Sequence, residues 1–226
     1  MTEIINNNEI RVLIVDDHDL VRYGFKSLLN EQDGIDVVDT VCCGEDAINW
    51  CRDHNGDIDV ILMDVNMPGI GGIGATKRIS QSWPIIGIII ITVHDGGPLP
   101  KILLKGGAKG YLTKGNAVDE MIAAIRDVHQ GKYYIAKDIA QQLALSVLPG
   151  EINPLDILSM RETQVLMMIA QGTKTKKISE ILNLSPKTIS TYRMRLFEKL
   201  DVSSDIEMLH MAMKHGVLDE NNMPIK

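Results

Sequence analysis

Read from the amino terminus, the chain alternates short, continuous apolar runs with longer segments whose apolar positions recur every three to four residues. The runs fall at 11–15, more weakly at 36–41, at 60–65, at 85–92 and, very short, at 110–114. Runs of strand length that are apolar at nearly every residue, rather than at every second one, are what parallel strands buried on both faces look like. The intervening segments, 18–30, 45–53, 76–80, 99–105 and 118–128, read as helices, and in the last of them Met121, Ile122, Ile125 and Val128 share one face. Glycines at 69, 71, 72 and 74 read as a loose connection that delays the third helix to Thr76. Five such alternations predict a doubly wound parallel sheet with right-handed crossovers and strand order 2-1-3-4-5.

After residue 131 the pattern changes. Tyr133-Tyr134-Ile135-Ala136 leads into a helix over 137–147, and residues 148–154 break all regularity, as a linker does. Beyond it the periodicity is helical only. Ser159-Met160-Arg161-Glu162 fits a capping box ahead of the apolar Val165, Leu166, Met168 and Ile169, and Gly172 stops that helix. A short helix over 176–182, a turn at Asn183-Leu184, and Ser185-Pro186 as the start of a helix reaching Leu200 follow, with a fourth helical segment beyond. The chain therefore divides into a leader 1–9, an α/β domain 10–130, a helix and linker 131–154, an all-α four-helix domain 155–218 and a tail 219–226. Its 226 residues are comfortable for two cores.

Composition sharpens this picture. A hydrophobic fraction of 45% and a charged fraction of 23% are those of a globular chain. The longest apolar run, Ile88 to Ile91, is far short of a membrane span and no basic-then-apolar segment opens the chain, so a cytoplasmic protein without a membrane partner is expected. Cys42, Cys43 and Cys51 show no disulfide framework or zinc spacing and read as reduced packing residues. The net charge is −7, yet residues 174–199 carry Lys174, Lys176, Lys177, Lys187, Arg193, Arg195 and Lys199 against only Glu180 and Glu198. Such a patch suits a phosphate backbone, so overall acidity does not exclude DNA. Two short helices joined by a tight turn, the second rich in Ser, Thr, Lys and Arg, form a helix-turn-helix pattern. A generic helical interaction module fits the same pattern, because basic helix faces are often merely solvated.

The strand ends carry the chemistry. In a flavodoxin-like sheet the first and third strands are neighbours, so Asp16, Asp17 and Asp64 meet at the carboxyl edge, and the fourth and fifth bring Thr92 and Lys114 alongside. Three carboxylates together repel unless a cation sits among them. A hard divalent ion, Mg²⁺, suits Asp17 and Asp64 as direct ligands, Asp16 through water, and the backbone carbonyl of Asn66. Asp64 then reads as a nucleophile forming an aspartyl phosphate, with Lys114 and Thr92 receiving the phosphoryl oxygens.

Residues 10–130 resemble the receiver domain of bacterial two-component response regulators, with Asp16-Asp17, Asp64, Thr92 and Lys114 at the matching motif positions. The resemblance implies Asp64 as phosphoacceptor from the phosphohistidine of a sensor histidine kinase, Asp16 and Asp17 as the Mg²⁺ pair, Thr92 as switch hydroxyl, Lys114 as phosphate partner and Tyr111 as switch aromatic. Two positions depart from the pattern. Gly74 stands where such receivers often carry glutamate, which would loosen the start of the third helix, and Val93 is bulkier than the usual small residue, which would slow access to Asp64.

Residues 155–218 resemble the LuxR-type tetrahelical domain, through Leu158-Ser159-x-Arg161-Glu162, Val165-Leu166, Lys177-Ile178-Ser179-x-x-Leu182, Leu184-Ser185-x-x-Thr188-Ile189 and Lys199-Leu200. The implied DNA contacts are Lys187, Arg193, Arg195 and Lys199 to phosphates and Ser190, Thr191 and, in a second role, Arg193 to base edges, with Thr188 at the helix start. Where many relatives have Val-Lys-x-His, this chain has Ile189-Ser190-Thr191-Tyr192, so base preference would differ. The whole chain resembles the NarL/FixJ class, and Gly44-Glu45-Asp46-Ala47 and Met67-Pro68-Gly69-Ile70-Gly71-Gly72 point within it to the GacA/UvrY type. That type implies a hybrid sensor kinase with a phosphotransfer domain, a homodimer on double-stranded DNA, and control of small regulatory RNAs. Two rivals stand beside it. A haloacid-dehalogenase-like phosphatase would want an aspartate where Asn66 stands, and a phosphate-independent DNA binder would not need the five-residue pocket.

Overall fold

The computed structural model describes residues 9–93, 97–146 and 153–217; the expected leader up to residue 8, the linker stretch 147–152 and the tail lie outside them. One parallel sheet has the order β2-β1-β3-β4-β5-β6, built from β1 Ile10–Val15, β2 Ile35–Val41, β3 Val60–Met63, β4 Gly87–Thr92, β5 Gly110–Thr113 and β6 Tyr134–Ile135. Helices α1 Asp19–Asn30, α2 Gly44–Asp53, α3 Gly71–Ser82, α4 Leu99–Lys105 and α5 Val118–His129 alternate with the first five strands, and α6 Lys137–Leu145 follows the sixth. The central strands β3 and β4 are buried at every position, which is why they appear in the sequence as unbroken apolar runs. Each such buried Ile or Leu contributes roughly 1.5–3 kcal/mol.

Two expectations are corrected. The sheet has six strands, not five: Tyr134 and Ile135 pair in parallel with Gly110 and Tyr111. This edge strand is two residues long and half-buried, so no periodicity announces it. The third helix starts at Gly71 rather than at Thr76. Its glycines answer a demand for space: a Cβ on Gly72 would lie 1.9 Å from the carbonyl oxygen of Asp64. Of the cysteines, Cys51 alone is a core residue, whereas Cys42 is exposed with its Sγ 3.7 Å from Asp46 Oδ2.

The carboxyl-terminal unit begins with a 3-10 turn, Pro154–Ile157, followed by α7 Met160–Ala170, α8 Thr175–Leu182, α9 Pro186–Leu200 and α10 Asp205–Lys214. Local capping sets its boundaries. Ser159 and Glu162 form a reciprocal capping box on α7, and Ser185 accepts from the Thr188 N–H at the start of α9, with Pro186 in the first turn. Asn183 adopts φ 52°, the left-handed conformation that ends α8 and makes the turn tight. Val165, Leu166, Ile178, Leu182, Ile189, Leu196, Leu200 and Met208 fill the core of this unit. Helix α7 also packs against α3, and Lys101 of α4 pairs with Asp156 at 2.9 Å, so the two units touch. Among the described residues no helix is long and apolar enough to cross a membrane.

Candidate functional site: a carboxylate pocket and an exposed basic helix

Strands β1 and β3 run side by side with Val15 opposite Met63, so the residues that follow them arrive together at the sheet edge. Asp64 is anchored there by its N–H, which donates to the Val15 carbonyl at 2.8 Å. Asp16 and Asp64 are each only 3% exposed, an unusual depth for two carboxylates. Lys114, just past β5, reaches both: its Nζ lies 2.6 Å from Asp16 Oδ2 and 3.3 Å from Asp64 Oδ2. Its own N–H donates to the Thr92 carbonyl at 2.7 Å, which ties it to the end of β4. Thr92 and Tyr111 are fully buried on β4 and β5, so those two strands bring the remaining expected pocket residues to the same half of the sheet.

Burial pushes the Asp64 carboxyl up to about 6; Lys114 works against that rise and Asp16 adds to it. Burial likewise disfavours the Lys114 charge, but Asp64 and Asp16 outweigh it and hold the ammonium above its ordinary range. Asp16, Asp17 and Asp64 against one lysine leave a surplus of two negative charges in the ionised pocket.

One residue of this cluster escaped the sequence reading. His18 occupies the N-cap position of α1 without making a capping bond, and its Nδ1 lies 2.8 Å from Asp17 Oδ1 and 3.2 Å from Asp16 Oδ1. Asp17 Oδ1 is buried and accepts no well-directed hydrogen bond despite that proximity, so it keeps capacity to bind a cation. Ligand atoms from Asp16, Asp17, His18 and Asp64 all lie within 4.8 Å of one another. An oxygen-rich, doubly negative cluster with an unsatisfied buried oxygen fits a hard divalent cation. Glu45 was also missed. Its Oε1 accepts from the Ile70 N–H at 2.9 Å, bracing the loop between β3 and α3.

On α9 the structure separates the basic residues that the sequence grouped. Lys187, Ser190, Thr191 and Arg195 are exposed on one side, opposite the buried Ile189, Leu196 and Leu200. Thr188 is half-buried and its hydroxyl lies 2.9 Å from that of Ser185, so it serves the helix start. Arg193 and Lys199 are only partly exposed and each already holds a carboxylate. Arg193 pairs with Asp205 of α10 at 2.5 Å and lies 5.5 Å from the centre of the Phe197 ring, and Lys199 pairs with Glu162 at 2.8 Å. Both have carboxylate partners within their own unit. Met194, not anticipated, is 63% exposed between Thr191 and Arg195, where an apolar group can meet a thymine methyl. Lys174, Lys176 and Lys177 are exposed around the start of α8 and extend the basic surface.

A parallel α/β unit with an acceptor carboxylate, an acidic pair and a lysine at its carboxyl edge, joined to a helix-turn-helix unit with an open basic face, defines a two-part regulator. Residues 12–126 match the family described as "Response regulator receiver domain", and residues 156–212 that described as "Bacterial regulatory proteins, luxR family". The chain belongs to the two-component response regulators with a LuxR-type DNA-binding domain, which are transcription regulators and not catalytic enzymes. It is 49% identical over 216 residues to the response regulator UvrY of Escherichia coli (strain K12), covering 95% of this chain and 98% of that one. Identity to the response regulator GacA of Pseudomonas aeruginosa is 48% over 212 residues, covering 93% and 98%. Among solved structures, RcsB of Salmonella typhimurium superposes with a TM-score of 0.75 at 27% identity, over 92% of this chain and 99% of that one. RcsB from Salmonella enterica serovar Typhimurium, bound to the promoter rprA in the presence of the phosphomimetic BeF3-, gives 0.73 at 26% identity, over 90% and 98%. Response regulators work with sensor kinases, and this RcsB structure has one of them on DNA.

Proposed function

We propose that Asp64 stores a phosphoryl group received from a sensor kinase and that its presence controls how the α9 face engages DNA. The observation that carries this is Lys114 Nζ between Asp16 Oδ2 and Asp64 Oδ2, at 2.6 and 3.3 Å, a cation placed where a new phosphoryl oxygen would arrive. In the transfer an Asp64 carboxylate oxygen attacks phosphorus, the P–N bond of the donor phosphohistidine breaks, and the imidazole leaves with the bonding pair. Lys114 then exchanges a carboxylate partner for a phosphoryl oxygen. Thr92, at the end of β4, offers its hydroxyl to the same group, and Tyr111 moves with it as the switch aromatic. Asp16, Asp17, Asp64 and the Asn66 backbone carbonyl would hold Mg²⁺, which when bound neutralises charge on the transferring group.

Lys187, Ser190, Thr191, Met194 and Arg195 form the reading face on this proposal, with Lys174, Lys176 and Lys177 as further phosphate contacts. Two copies pair on a two-fold site, since one exposed recognition helix reads only a half-site. The donor is a hybrid kinase with a phosphotransfer domain, as the relationship to UvrY and GacA suggests, and a promoter-binding protein of this kind works in the cytoplasm. Phosphorylating the protein with a small acyl phosphate and Mg²⁺, then comparing Asp64→Asn, tests the centre of the proposal. Label is expected on the native chain only, and equal labelling of both would overturn it.

A further inference from the structure

The two units are joined at a point that bears on control. The loop leaving Asp64 runs to Ile70, and the Ile70 carbonyl accepts a hydrogen bond from Gln164 Nε2 of α7 at 2.7 Å, across 94 positions of sequence. Gln164 is only 5% exposed. Its other amide atom, Oε1, accepts from Arg161 at 2.6 Å, and the same guanidinium donates to the Leu182 carbonyl at 3.1 Å, at the last residue of α8 and beside the Asn183 turn. Gly74 makes the room for this amide. A Cβ there would lie 2.3 Å from Gln164 Nε2, so any side chain at this position, the glutamate common among receivers included, would displace the amide. The helix start is accommodating a neighbour, not loosened. Elsewhere along the seam Met160 packs against Gly106 and Met167 and Met168 face Ile70 and Ile73, while a cleft of about 320 Å³ opens between Lys77, Lys105 and Met160, and Lys101 with Asp156 bridges its edge.

We propose that Gln164 and Arg161 are positioning residues that carry the state of the Asp64 loop to the turn of the helix-turn-helix. The path is continuous: Asp64, the loop to Ile70, Gln164, Arg161, then the carbonyl that ends α8. A shift of the loop that breaks this bond strands a buried amide, so the loop position and the placing of Gln164 are energetically coupled. The Asp64 loop and the end of α8 are thereby linked through one buried side chain and the guanidinium it holds. This deepens the phosphate-control reading and rests on it.

The test measures operator-DNA affinity of the full chain with and without acyl phosphate and Mg²⁺, for the native protein, Gln164→Glu and Gly74→Ala, with Asp64 labelling followed in parallel. Gln164→Glu keeps the acceptor for Arg161 but removes the donor to Ile70, so the α7 to α8 contact survives. Gly74→Ala displaces the amide from the other unit and favours the helix it sits in. The native response is expected in the range of about 5–150-fold, falling to within about 2-fold of no response in both variants while labelling is unchanged. The two changes combined are expected to do no more than either alone, as for one shared contact. Variants that label and respond like the native chain would overturn the relay. A native chain that labels but shows no response, or does not label, would instead overturn the reading beneath it.

Discussion

Lys199 Nζ lies 2.8 Å from Glu162 Oε2, which makes the last basic residue of the recognition helix a strut to the start of α7. That carboxylate also accepts from the Ser159 N–H and hydroxyl, each at 2.8 Å. Burial alone would raise the Glu162 carboxyl, but Lys199 and Ser159 together hold it below the ordinary range. The Glu162→Gln variant is therefore expected to lose about 1–2 kcal/mol of stability at neutral pH.

The same contact sets a pH dependence. A carboxyl whose folded pKa lies below its unfolded value, about 4.3, stabilises the fold fully above that value and loses its effect as pH falls through the folded pKa. Urea unfolding at pH 7 and pH 3 should show the gap between native and Glu162→Gln chains closing in acid. A gap of equal size at both would remove charge from the explanation.

Arg195 and Arg193 should separate in binding experiments although they lie two residues apart. Arg195 is exposed, so Arg195→Ala is expected to weaken DNA binding and reduce the slope of log affinity against log salt by about 0.9. Arg193→Ala removes the pairing with Asp205 and the contact with Phe197. It should lower stability by about 0.5–1 kcal/mol, discounted for partial exposure, and leave the salt slope as it was. Interchanged results would reverse the two roles.

The doubly negative pocket predicts stabilisation by a hard cation. Mg²⁺ at 100 times its dissociation constant should raise native stability by about 2.7 kcal/mol. Asp17→Asn removes a negative charge from the pocket and replaces one carboxylate oxygen with an amide nitrogen that cannot ligate a hard cation, and thermal unfolding should then show little of the Mg²⁺ shift. Chelation should abolish the shift in the native chain, and a shift that persists in Asp17→Asn would place the ion elsewhere.

Gly72→Ala tests the close approach of α3 to the phosphoacceptor strand. The added methyl would meet the Asp64 carbonyl oxygen at 1.9 Å, and backbone cannot rotate away as a side chain can. A loss of about 1–3 kcal/mol in urea unfolding is expected. A neutral result would mean that the loop yields freely.

Much of the fold was legible because its determinants are local. β3 and β4 are apolar at every buried position but for Gly87 and the terminal Thr92, and Ser159 and Ser185 cap helices within three or four residues of themselves. Asp16, Asp64 and Lys114 could be brought together on paper because strand order follows from alternation. The misses share a different cause. Gly71, Gly72 and Gly74 look like a loop in sequence but lie in the first turns of a helix, and only the proximity of Asp64 and Gln164 shows why Gly72 and Gly74 carry no side chain. His18 stands at the helix start as its position suggested, but nothing local announces that its ring lies against Asp17.

The sequence by itself determined the alternating sheet, the helix-turn-helix boundaries and the presence of carboxylates, a hydroxyl and a lysine at successive strand ends, since hydrophobic period and capping act over a few residues. Only the tertiary structure decided which charges are paired and which are available. Lys199 and Glu162 lie 37 positions apart, Gln164 and Ile70 lie 94 apart, and Arg193 meets Asp205 of α10 while Arg195, two residues on, faces outward with no ion-pair partner among the described residues. Long-range pairing depends on where packing carries each backbone, so a charge that can be counted in the sequence can be assigned to a partner only in the folded chain.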